Sequence, residues 1–146
     1  IYPSLVIKGT QMEQMWREGK YQPMSLEESI DTCRILLTEF EQAGVKVLRM
    51  GLHPSEGLLN GDSLVAGPFH PAFGQLVETA IWMHKLKYLE QESDKENITI
   101  WVNEKDFHAA IGHKGSNKAM LARWFKKLRI KTSIDIKPGE FHVDFC

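Results

Sequence analysis

The segment Ala110-Ile111-Gly112-His113-Lys114-Gly115-Ser116-Asn117-Lys118 sets two glycines three positions apart, with a histidine and a lysine between them and a second lysine just beyond. Glycine has no Cβ, so a Gly-x-x-Gly link turns sharply and lets an anion come within hydrogen-bonding distance of the backbone. A helix beginning at Ser116 would aim its first N–H groups and its positive dipole end at the same spot. The chemistry this pattern suits is phosphate binding, and the plainer reading is an ordinary interhelical turn. The surroundings favour an anion. From Glu104 to Lys131 stand Lys105, Lys114, Lys118, Arg123, Lys126, Lys127, Arg129 and Lys131 against only Glu104 and Asp106, a local charge of +6. A solvated helix face accounts for an isolated basic run, but here Lys114 and Lys118 flank the turn itself.

A second group lies earlier. Arg49 stands at the end of the strand-like run Val45 to Met50 and His53, Glu56, Asp62 and His70 follow it, and loops at the carboxyl ends of parallel strands are where α/β proteins place their sites. These side chains suit metal ligation or acid–base work. Their spacing matches no metal signature, and long loops use His and Asp to satisfy backbone groups; a small metal hydrolase built on His53 and His70 is the corresponding alternative. Cys33 and Cys146 are the two cysteines of the chain, with no zinc or cluster spacing, which points to a reducing cytoplasm. No apolar run approaches the roughly 20 residues a bilayer requires, so no membrane role is expected.

The elements that position these groups fall in two parts. Residues 1–97 hold nine Lys and Arg against fourteen Asp and Glu (−5), and residues 98–146 hold nine against five (+4), a polarity that suggests two units with different partners. In the first part, Leu5-Val6-Ile7 reads as a strand and Thr10-x-x-Glu13 as a capping box opening a helix that stops near Gly19. Ser25-x-x-Glu28 opens a second helix, apolar at Ile30, Cys33, Leu36, Leu37 and Phe40 and closed by Gly44. Val45 to Met50 predicts a strand, Gly51 to Pro71 a long loop, and Phe73 to about Glu90 a helix. Alternating strand and helix imply parallel βα units, and two strands cannot complete such a sheet. The polar run 91–97 reads as a linker. Beyond it the order is βααββ: strand Ile98 to Val102, helix Glu104 to Ile111, the glycine loop, helix Ser116 to Leu128, strand Ile130 to Ile136, and strand Glu140 to Phe145. Pro138-Gly139 suits the middle of a type II turn, which predicts pairing of the last two strands. Trp101, Trp124 and Phe107 have the spacing of core residues, with base stacking as the functional alternative.

The order βααβ around Gly112-His113-Lys114-Gly115-Ser116-Asn117, followed by Leu121-Ala122, resembles a KH domain, in particular those of bacterial transcription-elongation and antitermination factors. That resemblance implies that Gly112, His113, Lys114 and Gly115 clamp the backbone of single-stranded RNA, with Asn117 and Lys118 beside it. Lys118 departs from the pattern, which carries an aliphatic residue there. A second resemblance covers about residues 1–90. Tyr2-Pro3-Ser4-Leu5-Val6-Ile7-Lys8-Gly9-Thr10, Leu26-Glu27-Glu28, Val47-Leu48-Arg49-Met50-Gly51-Leu52-His53-Pro54-Ser55-Glu56-Gly57 and Val65-Ala66-Gly67-Pro68-Phe69-His70-Pro71-Ala72-Phe73 are similar to the closing part of a bacterial radical SAM protein. The branch is the one related to the elongator catalytic subunit and often named after oxygen-independent coproporphyrinogen oxidase.

What the second resemblance implies is a partial βα barrel holding a 4Fe-4S cluster and S-adenosylmethionine. The three-cysteine cluster motif is absent from this chain, and two distant cysteines cannot supply the thiolates a cluster needs. Lys8, Thr10, Arg49 and His53 would then line the far wall of the barrel, near substrate or cofactor. The chain starts at Ile1 and not at Met, so it reads as a C-terminal fragment, catalytically inactive by itself: residues 1–90 as terminal βα units of the barrel, 91–97 as linker and 98–146 as a KH-like domain. Its partners would be single-stranded RNA or tRNA and the missing N-terminal radical SAM domain. Two alternatives stand beside this: a stand-alone RNA-binding adaptor, and a KH-like scaffold that docks onto its own enzyme.

Overall fold

The computed structural model describes residues 1–145 and places them in two compact units, Ile1–Val77 and Glu78–Cys146, of a mixed α/β chain; Cys146 itself lies outside the described residues.

In the first unit, β1 (Val6–Ile7) runs into α1 (Gln11–Arg17), capped by Thr10, whose side chain accepts from Glu13 N–H at 3.3 Å. The Glu13 carboxylate reaches further back, to Gly9 N–H at 2.6 Å, and pairs with Arg17 at 2.7 Å. α2 (Leu26–Gln42) opens on a complete capping box in which Ser25 and Glu28 satisfy each other's backbone N–H groups. The long loop expected after Gly51 contains a short helix, α3 (Glu56–Leu59), and a three-residue strand, β2 (Leu64–Ala66). β2 pairs antiparallel with β1, Val6 opposite Ala66 and Ile7 opposite Leu64.

Val45 to Met50 does not form the expected strand: no ladder is assigned to it. Val45 N–H donates back to Phe40 O at 2.8 Å, and at the other end Ile1 N–H donates to Arg49 O and Gly51 N–H to Ile1 O, both at 2.8 Å. That alternation is the hydrogen-bond pattern of a parallel pair. The buried apolar residues of this unit are Leu5, Val6, Cys33, Phe73 and Val77.

The second unit starts inside α4 (Phe73–Leu86), and its core continues through the 3₁₀ turn Lys87–Glu92. Trp82, Leu86 and Leu89 from this stretch pack with Ile98, Ile100 and Val102 of β3 (Asn97–Val102), with Ala110 of α5 (Phe107–Ile111), with Leu121 of α6 (Ser116–Leu121) and with Phe125. Segment 91–97, whose composition reads as a linker, therefore includes the end of a 3₁₀ turn and the first residue of a strand.

β4 (Lys127–Thr132) pairs parallel with β3 in register from Asn97 opposite Lys127 to Val102 opposite Thr132. β5 (Phe141–Phe145) pairs antiparallel on the other side, from Ile98 opposite Phe145 to Val102 opposite Phe141. The sheet order is β4-β3-β5, so the last two strands do not pair with each other as expected. The turn is real, with Glu140 N–H on Lys137 O at 3.0 Å and Gly139 at φ +82°, but it lies in a connection that carries the chain past β3. β3 alternates buried and half-buried residues along its whole length, and as the most apolar strand it takes the centre. α6 is also shorter than expected and ends at Leu121, because Lys127 already belongs to β4.

Candidate functional site

The glycine loop is built from its two ends inward. Asn103 caps the 3₁₀ turn before α5, its side-chain oxygen accepting from Lys105 N–H at 3.1 Å while its amide donates to Ile136 O at 2.7 Å. α5 stops at Gly112, where φ is +84° and ψ 158°, a conformation close to glycine-only. A Cβ there would lie 2.6 Å from Ser116 Oγ and 2.7 Å from Asn117 N. Gly115 also has positive φ (+78°), yet a Cβ on it would meet nothing within 4 Å. Between them Lys114 adopts a left-handed conformation (φ 53°, ψ 26°), and Gly115 N–H closes the turn onto Gly112 O at 2.9 Å.

Asn117 is what holds the loop. It is 1% exposed, and its Nδ2 donates to Thr79 O at 3.0 Å and to Ala109 O at 3.1 Å. Thr79 of α4 makes a second tie, its hydroxyl accepting from His113 N–H at 2.8 Å. The loop is thus anchored at two points to one residue of α4. The His113 N–H is used inside the protein and is not offered to an anion. Lys114, Ser116 and Lys118 are exposed and His113 is half-buried. Neither Lys114 nor Lys118 enters an ion pair among the described residues. With α6 only six residues long, its dipole adds little, and the two lysines carry the positive charge. Asn117, expected beside a bound backbone, is buried and positions the turn. Thr79 was not legible in sequence, since nothing marks one threonine on a helix as the anchor of a loop more than thirty residues away.

At the other end of α5 an open cleft of about 550 Å³ is bounded by Trp101, Glu104, Phe107, His108, Ile130, Lys131 and Thr132. Phe107 and His108 meet edge to face at 5.7 Å. From Phe107 in the cleft to Gly112 in the loop the helix rises about 7.5 Å at 1.5 Å per residue. Phe107 and Trp124 pack against the core as expected; Trp101 does not, because β3 turns it to the opposite face of the sheet.

In the first unit, Thr10 is committed to capping α1, with its hydroxyl also donating to Ile7 O at 2.7 Å. Lys8, Arg49 and His53 are exposed. Arg49 borders a cleft with Ile1, Tyr2, Phe40, Val45 and Leu48, while a separate small pocket is lined by Leu5, Leu52, Phe69, His70 and Phe73. His70 Nδ1 accepts from Ala72 N–H at 3.0 Å, the backbone-satisfying use open to a loop histidine. Among the described residues no group of three or more His, Cys, Asp or Glu could hold a metal ion. Cys33 is buried on α2, where burial pushes its thiol above the usual range, and it is one of two cysteines in the chain, fewer than the thiolates a cluster needs. An iron–sulfur cluster does not fit this donor set. No helix among the described residues is long and apolar enough to cross a membrane.

Residues 1–83 match the family model of the Radical_SAM C-terminal domain. No curated protein and no solved structure matches the chain.

Proposed function

The chain belongs to the radical SAM C-terminal domain family through residues 1–83, and from that premise we propose that its second unit is a KH-like module that binds single-stranded RNA, a tRNA included, for chemistry performed by a cluster-bearing radical SAM domain. The branch we favour is the one related to the elongator catalytic subunit. On this reading the cluster and S-adenosylmethionine are held by that other domain. Lys8, Arg49 and His53 of the first unit would face it, with Thr10 fixing the helix start beside them. A reducing cytoplasm suits a buried free thiol.

The observation that carries the RNA reading is the loop. Gly112 is confined to a shape that only glycine takes, Asn117 and Thr79 brace it, and Lys114 and Lys118 stand unpaired on its surface. Lys114 and Lys118 would meet phosphates, His113 the sugar or a base, and the cleft at the far end of α5 would take the next base against Phe107. The exposed apolar stretch of the first unit, with Leu48 87% and Tyr2 60% exposed, supports a protein partner for that unit. The parallel pairing begun between Ile1 and Arg49–Gly51 is the kind of edge a neighbouring strand would extend.

The test is fluorescence anisotropy of a labelled single-stranded RNA tetramer with the full chain at low salt. The variant His113→Asp/Lys114→Asp turns two carboxylates toward phosphate and is expected to abolish binding. Affinity within twofold of the parent would rule the loop out as the clamp.

A further inference from the structure

The outer face of the three-stranded sheet concentrates charge that the loop does not use. β3 buries Ile98, Ile100 and Val102, so Asn97, Thr99 and Trp101 point the other way. Residues opposite one another in register share a face, which sets Lys127, Arg129 and Lys131 of β4 beside Asn97, Thr99 and Trp101, and Asp144 and His142 of β5 beyond Thr99 and Trp101. The three cations stand two residues apart, about 6.6 Å at 3.3 Å per residue, along the edge strand.

Their surroundings leave them available. Among the described strand residues the register sets one carboxylate on this face, Asp144, and it is engaged by Trp101 Nε1–H at 2.7 Å and by His142 at 3.2 Å. No ion pair among the described residues includes Lys127, Arg129 or Lys131. Lys131 Nζ sits 5.0 Å from the centroid of the Trp101 ring, so the indole, pinned at its edge by Asp144, holds that cation over the sheet. A cation already held loses less freedom when an anion arrives.

We propose that this face is a second polyanion-binding surface, on which Lys127, Arg129 and Lys131 take successive phosphates of a single-stranded RNA longer than the glycine loop alone can hold. The identity of the polyanion rests on the RNA reading above; the surface itself does not. A lipid bilayer fits less well, because the face offers no apolar side chain to insert besides a hydrogen-bonded Trp101. Trp101 acts as a positioning residue for Lys131.

The experiment uses the full chain with labelled uridine tetramers and dodecamers, over a salt series. Lys127→Gln/Arg129→Gln/Lys131→Gln is expected to weaken the dodecamer at least tenfold at low salt and to flatten the log–log salt slope by roughly 2, at about 0.7 per single-strand phosphate lost. In Lys127→Gln/Arg129→Gln, which leaves the cleft-lining Lys131 in place, tetramer binding stays at the parental level. Lys127→Arg/Lys131→Arg, which keeps both charges, retains dodecamer affinity and separates charge loss from misfolding. Dodecamer affinity within twofold of the parent in the triple variant overturns the proposal, and if His113→Asp/Lys114→Asp still abolishes the tetramer, the loop reading survives alone. The reverse result, with the loop variant silent and the triple variant weak, keeps this surface and removes the loop. Loss of sedimentation with phosphatidylserine vesicles while dodecamer binding is unchanged would reassign the face to lipid and overturn the proposal.

Discussion

The two units are of similar length but are held together differently. The second folds helices α4, α5 and α6 over one face of a three-stranded sheet, and its core runs without a break from Trp82 to Phe125. The first has a two-stranded ladder of two and three residues, and its longest helix, α2, buries only Ser29 and Cys33. It leaves Tyr2, Phe40, Val45 and Leu48 exposed. A unit with so little buried apolar area gains little from the hydrophobic effect and opens locally at low cost. Each unit's stability therefore has a different source: the second holds a continuous apolar core, while the first buries few apolar side chains and leaves several exposed. Amide exchange should divide along the same line, with β3 the best protected and 45–50 the least.

Variants that break or sharpen this contrast can be ranked by expected effect. Ile100, fully buried at the centre of β3, should cost about 2–5 kcal/mol on Ile100→Ala, read as a lower denaturant midpoint of the second unit. Gly112→Ala combines positive φ with a Cβ against the Asn117 backbone and should cost upwards of about 2 kcal/mol. Gly115→Ala has the strain without the clash and should cost only about 1–2 kcal/mol, so equal losses at the two glycines would contradict the loop geometry. Asn117→Ala removes both bonds from its amide to the Thr79 and Ala109 carbonyls and should cost about 1–3 kcal/mol by thermal melting, with RNA affinity falling through loss of loop shape.

The smallest effects belong to the first unit. Ser25→Ala should remove about 1 kcal/mol through the capping box. Acid should act there too. Glu28, held low by the backbone and hydroxyl of Ser25, and Glu13, held low by Gly9 N–H and then Arg17, have folded values below their unfolded ones. Their contribution is complete above the unfolded value near 4.5 and is lost as pH falls through the folded value. Helical circular dichroism should therefore begin to fall below that pH, and Glu28→Gln should reduce the drop.

Local signals in the chain foretold local structure. Ser25 and Glu28 marked a helix start that forms as read, and Gly112 and Gly115 marked a turn between two helices, both found. What escaped was decided by distant partners. Val45 to Met50 has strand composition, but a strand is defined by what lies beside it, and among the described residues its strand-type bonds reach Ile1 alone. β2 was hidden among Gly, Asn, Asp and Ser because three residues carry no period. The order β4-β3-β5 depends on how apolar β3 is relative to its neighbours, which turn chemistry at Pro138-Gly139 does not encode. The Asn117–Thr79 tie joins residues 38 apart, and no spacing rule reaches that far.

The most direct test of the account is a titration of the isotope-labelled full chain with a uridine tetramer, followed by amide chemical shifts. Saturable shifts are expected, confined to the glycine loop and α5 and centred on Gly112 to Lys118, with the amides of residues 1–77 unmoved. Shifts centred on the first unit, or none at the loop at saturating RNA, would contradict it.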